Sequence, residues 1–175
     1  MSKITFTSIP FSIGSWTIIR IPGQAGGKLP SRGANAVAGT INGVPFQTVL
    51  EPDGKGSHWF SVDEKLCERA GINVAAAVKL SIAPSETWPE PDVPADVKDA
   101  LASIPAINSI WNTLTPLARW DWIRWIRATA DPATRGRRIE KACSMLEAGK
   151  RRPCCFNRNL CTETAVAKNG VLLEE

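Results

Sequence analysis

Several features that enzymes depend on are missing from this sequence. The motifs HExxH, GxSxG, GxGxxG and the EF-hand loop do not occur in its 175 residues, and these patterns mark common metal, nucleophile and cofactor sites. Its one histidine, His58, lies in the strand-like stretch SHWFSV, where a histidine usually completes a local hydrogen bond. We therefore expect no catalytic residues.

Long apolar segments are missing as well. No run approaches the roughly 20 apolar residues that a membrane-spanning helix requires. The first residues, MSKITFTSIPF, lack the apolar core of a secretory signal. We expect a cytoplasmic protein with no membrane insertion, and the sequence does not distinguish a monomer from a homodimer.

The cysteines do not form a regular framework. There are five, an odd number, so free thiols are expected in a reducing compartment. Cys154, Cys155 and Cys161 lie close together in RRPCCFNRNLCTET, and with Cys143 they could supply four thiolates to zinc. Adjacent cysteines seldom bind one ion with good geometry, so we expect no cofactor and keep zinc as a minor alternative. A reactive thiol activated by neighbouring arginines is a second alternative.

The first half of the chain is typical of a small β-domain. Six short segments are rich in β-branched and aromatic residues and are separated by Gly, Pro, Asn and Asp. They lie at residues 4–9, 15–21, 34–41, 44–50, 57–62 and 75–82. Asn42-Gly43 predicts a type I′ hairpin, Asp63 and Gly71 bound a short helix, and residues 23–33 read as a flexible connection. These signals predict a small six-stranded β-barrel.

The second half is helical and follows a proline-rich linker, PSETWPEPDVP. Prolines and capping residues predict four helices that begin near Pro94, Pro105, Pro116 and Pro132. The predicted fold class is therefore α+β, a six-stranded barrel followed by a four-helix unit. The predicted domains are residues 1–88, residues 89–150 and a Cys-rich tail at 151–175.

Basic residues are concentrated in the helical half. Residues 119–152 contain ten Lys or Arg against four acidic residues, whereas the whole chain carries a net charge of +4. Within this segment RWDWIRWIR has three tryptophans, and helical phase places Trp122 and Trp125 in the core. Trp120, Arg124 and Arg127 fall on the opposite side, where they are predicted to form an outward patch.

The next predicted helix places an arginine in its apolar stripe. Arg135 shares that stripe with Ile139 and Leu146, and a buried guanidinium must be paired. We expect a structural ion pair between Arg135 and Asp121 or another carboxylate. The alternative is an anion site in which Arg138 and its neighbours take part.

Particular stretches of the chain resemble two known families. SWTIIRIP, VAGTINGVPFQTVLEPDGKGSHWFSVDEKLCERAG and AAAVKLSI resemble a bacterial domain of unknown function, which implies a double-split β-barrel related in shape to AbrB-like barrels. VPADVKDAL, LTPLARWDWIRWI and TRGRRIEKACSML resemble the YdeI/OmpD-associated family, also called bacteriocin-protection proteins. This second resemblance implies a role in envelope stress or in protection from antibacterial peptides, without known catalytic residues.

These observations favour a non-catalytic stress-tolerance or antimicrobial-protection protein that binds a small molecule or a peptide in a cleft between barrel and helices. Exposed aromatic and arginine side chains are the expected contacts. The candidates are Trp120, Arg124, Arg127, Arg138, Trp59 and Trp16. Two alternatives stay open, a nucleic-acid-binding regulator that uses the basic helical segment and a thiol- or metal-dependent protein that uses the tail cysteines.

Overall fold

The computed structural model describes residues 2–174 and divides them into two compact units. The first unit comprises the chain up to Pro89, together with Arg158–Cys161 and the residues from Ala165 onward. The second comprises Glu90–Asn157 and Thr162–Thr164. The segment predicted as a separate tail is thus shared between the two units.

The first unit is built on a curled antiparallel sheet, which within residues 2–174 has seven strands in the order β1-β7-β4-β5-β6-β3-β2. The strands are β1 Ile4–Ser8, β2 Phe11–Ile13, β3 Trp16–Ile21, β4 Asn35–Ile41, β5 Val44–Pro52, β6 His58–Val62 and β7 Val78–Pro84. Strands β1 and β3 are not neighbours in this order, yet the Ser8 hydroxyl on β1 donates a hydrogen bond to the Arg20 carbonyl on β3. The sheet therefore curls back on itself.

A barrel of six strands was predicted, whereas the sheet described within residues 2–174 has seven. The additional strand, β2, has three residues and follows Pro10, so it is too short to show an alternating pattern. The stretch predicted as a flexible connection contains a four-residue helix, α1 Gly23–Gly26. The described chain thus has six helices, two of them in the first unit.

Local turn and cap signals are confirmed. Asn42 and Gly43 have φ angles of 49° and 80°, as a type I′ hairpin turn requires. The helix α2 Glu64–Ala70 is capped by the Asp63 carboxylate, which accepts a hydrogen bond from the Leu66 amide, and Gly71 ends it in the left-handed conformation.

The inner face of the curled sheet carries the main core of the first unit. Its fully buried members include Ile19, Val37, Ile41, Leu50, Leu80 and Ile82. Gly39 lets β4 and β7 approach closely, because a Cβ at this position would lie 2.0 Å from the Ser81 carbonyl oxygen.

A C-terminal hairpin covers the outer face of the same sheet. It consists of β8 Ala167–Lys168 and β9 Val171–Leu172, joined by Asn169 and Gly170 with φ angles of 54° and 76°. The hairpin and the outer face of the sheet together enclose a second apolar cluster. Its buried residues are Ile18, Trp59, Cys161, Val166 and Leu172. Part of the predicted tail is therefore an integral layer of the first unit.

The second unit contains the four predicted helices. They are α3 Ala95–Ala102, α4 Pro105–Thr113, α5 Pro116–Arg127 and α6 Pro132–Glu147. Thr115 and Asp131 cap α5 and α6 by accepting hydrogen bonds from the Ala118 and Thr134 amides. The buried core of the second unit includes Val97, Leu101, Ile107, Trp111, Trp122, Ile126 and Leu146. Within residues 2–174 no helix combines the length and apolarity needed to cross a membrane.

Candidate functional site

The helical phase of α5 correctly places Trp122 in the core, with Trp125 packed against it, but one residue of the predicted outward patch is buried. Trp122 is completely buried and packs edge-on against the half-buried Trp125, with ring centroids 6.1 Å apart. Arg124 was predicted to be exposed, but it is only 1% exposed, and its guanidinium carbon lies 5.4 Å from the centroid of the Phe156 ring.

The reason is a segment of the predicted tail, residues 151–157, that covers this side of α5. The Trp122 indole N–H donates to the Arg151 carbonyl at 3.0 Å, and Arg152 bonds the buried Asp121 carboxylate at 2.8 Å. A helical wheel treats α5 in isolation, so it could not show that distant residues bury its polar face.

The other predicted arginine contacts are also engaged within the second unit. Arg127 bonds the Glu163 carboxylate at 2.7 Å and donates to the Thr162 hydroxyl at 2.9 Å. Arg138 donates to the Trp125 carbonyl at 2.7 Å, and its guanidinium carbon lies 5.6 Å from the Trp125 ring centroid. Trp120 is half-buried. Arg124, Arg127 and Arg138 thus interact with other residues of the second unit, and the ligand contacts predicted for them and for Trp120 stay a prediction.

Arg135 forms the expected ion pair with a carboxylate, but the partner is Asp96 and not Asp121. Its guanidinium makes a two-pronged contact with Asp96, with Nε–Oδ2 and Nη2–Oδ1 distances of 2.7 and 2.9 Å. This hydrogen-bonded guanidinium holds the pKa of the Asp96 carboxyl below its ordinary value. Asp96 lies in the first turn of α3, so the pair joins α6 to α3, whereas Asp121 pairs with Arg152.

Replacing Arg135 by alanine should lower the free energy of unfolding of the helical unit by about 0.5–1 kcal/mol, since the pair is partly exposed. This corresponds to a fall in melting temperature of a few degrees. A double-mutant cycle of Arg135→Ala with Asp96→Asn measures the coupling, and Arg137→Ala on the same helix is the matched control. A coupling energy of zero would contradict this role.

The candidate zinc ligands differ in their exposure to solvent. Cys161 is buried beneath the C-terminal hairpin, whereas Cys154 and Cys155 are exposed. Burial raises the pKa of the Cys143 thiol, which disfavours the thiolate that binds metals. In the described part of the chain no group of three or more His, Cys, Asp or Glu side chains could hold a metal ion.

The two candidate tryptophans of the first unit have different environments. Trp59 is 2% exposed and its indole N–H donates to the Pro52 carbonyl, so this side chain is not an open contact for a ligand. Trp16 is half-buried and packs at a tilt against Trp59, with ring centroids 6.3 Å apart. Of these two, Trp16 has an accessible surface.

Trp16 lines a pocket of about 380 Å³ in the first unit. The other lining residues are Ser15, Thr17, Ser61, Val62, Asp63 and Glu64. They come from two distant parts of the chain, which meet because Thr17 on β3 pairs with Val62 at the end of β6. The α2 N-terminus, at Asp63 and Glu64, follows directly after β6.

The lining of this pocket combines several polar residues with one aromatic residue, Trp16, and one apolar residue, Val62. Ser15 and Ser61 bring hydroxyls and Asp63 and Glu64 bring carboxylates to the lining, whereas the Thr17 hydroxyl interacts with the Cys67 thiol, and none of the described lining residues is basic. The Asp63 carboxylate is held in place because it caps α2 through the Leu66 amide at 2.8 Å. The pocket is therefore suited to a ligand that combines hydrogen-bond donors with a flat or cationic group.

A second polar group, around His58, is buried in the first unit. His58 is 1% exposed, and its Nε2 lies 2.8 Å from the Gly33 carbonyl oxygen and 3.0 Å from Nδ2 of Asn35. Within residues 2–174 its Nδ1 has no hydrogen-bond partner. Desolvation by burial lowers the pKa of His58, although the nearby Asp53 and Glu51 carboxylates act in the opposite direction.

This burial predicts a pH-dependent stability. The unfolded chain protonates His58 near its ordinary pKa of 6.5, whereas burial moves the folded-state pKa below that value, so stability falls as the pH decreases from 6.5 toward the lowered folded-state pKa. The slope is at most about 1.4 kcal/mol per pH unit. In urea titrations between pH 5 and 7, His58→Gln should abolish it, since the chain has no other histidine. An unchanged slope in the variant would contradict the assignment.

Comparison with known proteins yields two family matches. Residues 3–82 match the model of a domain of unknown function, DUF1905, and residues 90–149 match the family described as bacteriocin-protection, YdeI or OmpD-associated. These matches confirm both resemblances. No curated protein matches the chain.

Proposed function

Because the chain joins a DUF1905 domain to a bacteriocin-protection, YdeI or OmpD-associated domain, we propose that it is a non-catalytic protection protein that acts by binding a small molecule or a peptide. The observation that carries the proposal is the pocket at Trp16. Of the six contacts predicted from the sequence, Trp16 is the residue that both retains accessible surface and lines this pocket.

The size of the pocket and its aromatic side chain support the proposal of ligand binding. Its volume of about 380 Å³ lies within the roughly 300–1,000 Å³ of small-molecule sites. Trp16 offers an aromatic face whose position is maintained by packing on Trp59, and tryptophan contributes strongly to binding because it covers a large area with few rotatable bonds. The surrounding hydroxyls and carboxylates would orient a ligand.

The nucleic-acid alternative receives less support. Phosphate binding requires basic side chains that are available to neutralise the backbone. The arginines at positions 119, 127, 135 and 152 instead form ion pairs with carboxylates of the second unit. These pairs reduce the excess positive charge that the sequence places in this segment.

Ligand binding can be tested by nuclear magnetic resonance on ¹⁵N-labelled protein. A library of neutral, anionic and cationic small molecules and short peptides is titrated while the seven indole N–H signals are followed. We expect at least one compound to shift the Trp16 signal saturably and to lose affinity in Trp16→Leu. Trp88→Phe is the matched control, because Trp88 is also half-buried but does not line the pocket.

The protective role is tested in bacteria. Cells that express the chain should survive a bacteriocin better than cells that express Trp16→Leu at the same level. If no compound shifts the Trp16 signal, or if Trp16→Leu protects as well as the unchanged chain, the proposal is wrong.

A further inference from the structure

We propose that the pocket at Trp16 selects a cationic group, namely a primary ammonium or a guanidinium such as the side chain of lysine or arginine. This inference rests on the proposed function, because it assumes that the pocket binds a ligand. It adds the chemical class of that ligand, which the pocket's charges, hydroxyls and aromatic face determine together.

The charge of the pocket favours a cation over an anion. Asp63 and Glu64 contribute two carboxylates, and none of the described lining residues is lysine or arginine. The N-terminus of α2 is also present and carries a partial positive charge of about half a unit. Two full negative charges exceed this partial charge, so the local potential attracts cations and repels phosphate or carboxylate ligands.

Trp16 supplies the second component of cation recognition. A cation above an indole ring, within about 6 Å of its centroid, is attracted by the negative face of the π-system. The ring of Trp16 is half-buried and packs on Trp59, whose own N–H is bonded to the Pro52 carbonyl. The aromatic face is therefore positioned before any ligand arrives, which reduces the entropy lost on binding.

The hydroxyl groups match the donors of such a ligand. An ammonium has three hydrogen-bond donors and no acceptor, and a guanidinium has donors only. Ser15 and Ser61 line the pocket and carry hydroxyl oxygens that can accept these bonds beside the two carboxylates. A neutral ligand of the same shape would make fewer of them and would gain nothing from the carboxylate charges.

The test compares two peptides on the full chain by isothermal titration calorimetry. One is acetyl-Gly-Lys-Gly-amide, and the other has the same sequence with an acetylated lysine side chain. Acetylation keeps the alkyl chain but removes the charge, so we expect binding to weaken about tenfold. Binding of the unmodified peptide should also weaken several-fold between 20 mM and 500 mM NaCl.

Variants that remove a single charge show which side chains cause the preference for the charged peptide. Glu64→Gln and Asp63→Asn should each weaken the lysine peptide about two- to fivefold, and asparagine still caps a helix, so α2 is retained in Asp63→Asn. Glu68→Gln is the control, since it removes the same charge from α2 without lining the pocket. Trp16→Leu should reduce the preference for the charged peptide, whereas Trp16→Phe should retain part of it.

The outcomes separate this inference from the proposed function. If both peptides bind equally well and both depend on Trp16, the pocket is a binding site but not a cation site, and only this inference is overturned. The same holds if a neutral or anionic library compound binds at Trp16 while the lysine peptide does not. If no compound binds at Trp16, both proposals fail.

Discussion

Leu172→Ala is expected to lower the free energy of unfolding of the first unit by about 2–5 kcal/mol. Leu172 is buried in the cluster that the C-terminal hairpin forms with Ile18 and Trp59 on the outer face of the sheet. The variant removes apolar contacts and leaves a cavity that the neighbouring sheet cannot fill. Urea denaturation followed by tryptophan fluorescence measures the loss.

The neighbouring residue provides the control. Leu173 is 38% exposed, so Leu173→Ala should change stability by less than about 0.5 kcal/mol. Truncation after Thr164 removes the whole hairpin and uncovers the apolar surface of Trp59 and Ile18. Because Val166 and Leu172 each contribute about 1.5–3 kcal/mol by burial, the truncated chain should bind the dye ANS or aggregate. Equal stability of Leu172→Ala and Leu173→Ala would show that the hairpin is dispensable.

Trp122→Ala should destabilise the helical unit by about 3–5 kcal/mol. The Trp122 side chain is completely buried among the helices and donates a hydrogen bond from its indole nitrogen to the Arg151 carbonyl. Its loss therefore creates a large cavity and removes one of the contacts that hold residues 151–157 on α5. Thermal unfolding monitored by circular dichroism measures the effect.

A second variant at Trp122 separates the loss of apolar volume from the loss of the hydrogen bond, and Ile104→Ala serves as a control. Trp122→Phe keeps most of the apolar volume but removes the N–H donor, so it should cost about 1–3 kcal/mol. Ile104→Ala, at an exposed position in the same unit, should have little effect. If Trp122→Phe were as damaging as Trp122→Ala, volume would not be the main contribution.

The local elements of this fold follow closely from the sequence. Asn42-Gly43, Asp63, Thr115 and Asp131 act within a few residues of their positions in the chain, so the turn and the helix starts were predictable. The hairpin at Asn169-Gly170 carries the same Asn-Gly signal but was missed. Its strands have two residues each, which is too short for a periodic pattern to be recognised.

The candidate site was predictable only in part. Trp16 was identified from the sequence as an aromatic contact, but its neighbours Ser61, Asp63 and Glu64 were read as strand and cap residues or left unassigned. They join Trp16 through the antiparallel register of β3 and β6, in which Thr17 faces Val62. This register cannot be predicted from a local sequence pattern, because it depends on which strands become neighbours in the sheet.

Sequence alone determined the fold class, the two family resemblances, the helix starts and the core positions of Trp122 and Trp125. The helix starts and core positions depend on backbone preferences or on apolar periodicity within one element, whereas the resemblances rest on particular stretches of sequence. Tertiary structure alone decided the burial of Arg124, the pairing of Arg135 with Asp96 and the pocket at Trp16. Burial and pairing depend on residues that are far apart in the chain and meet only when the elements pack.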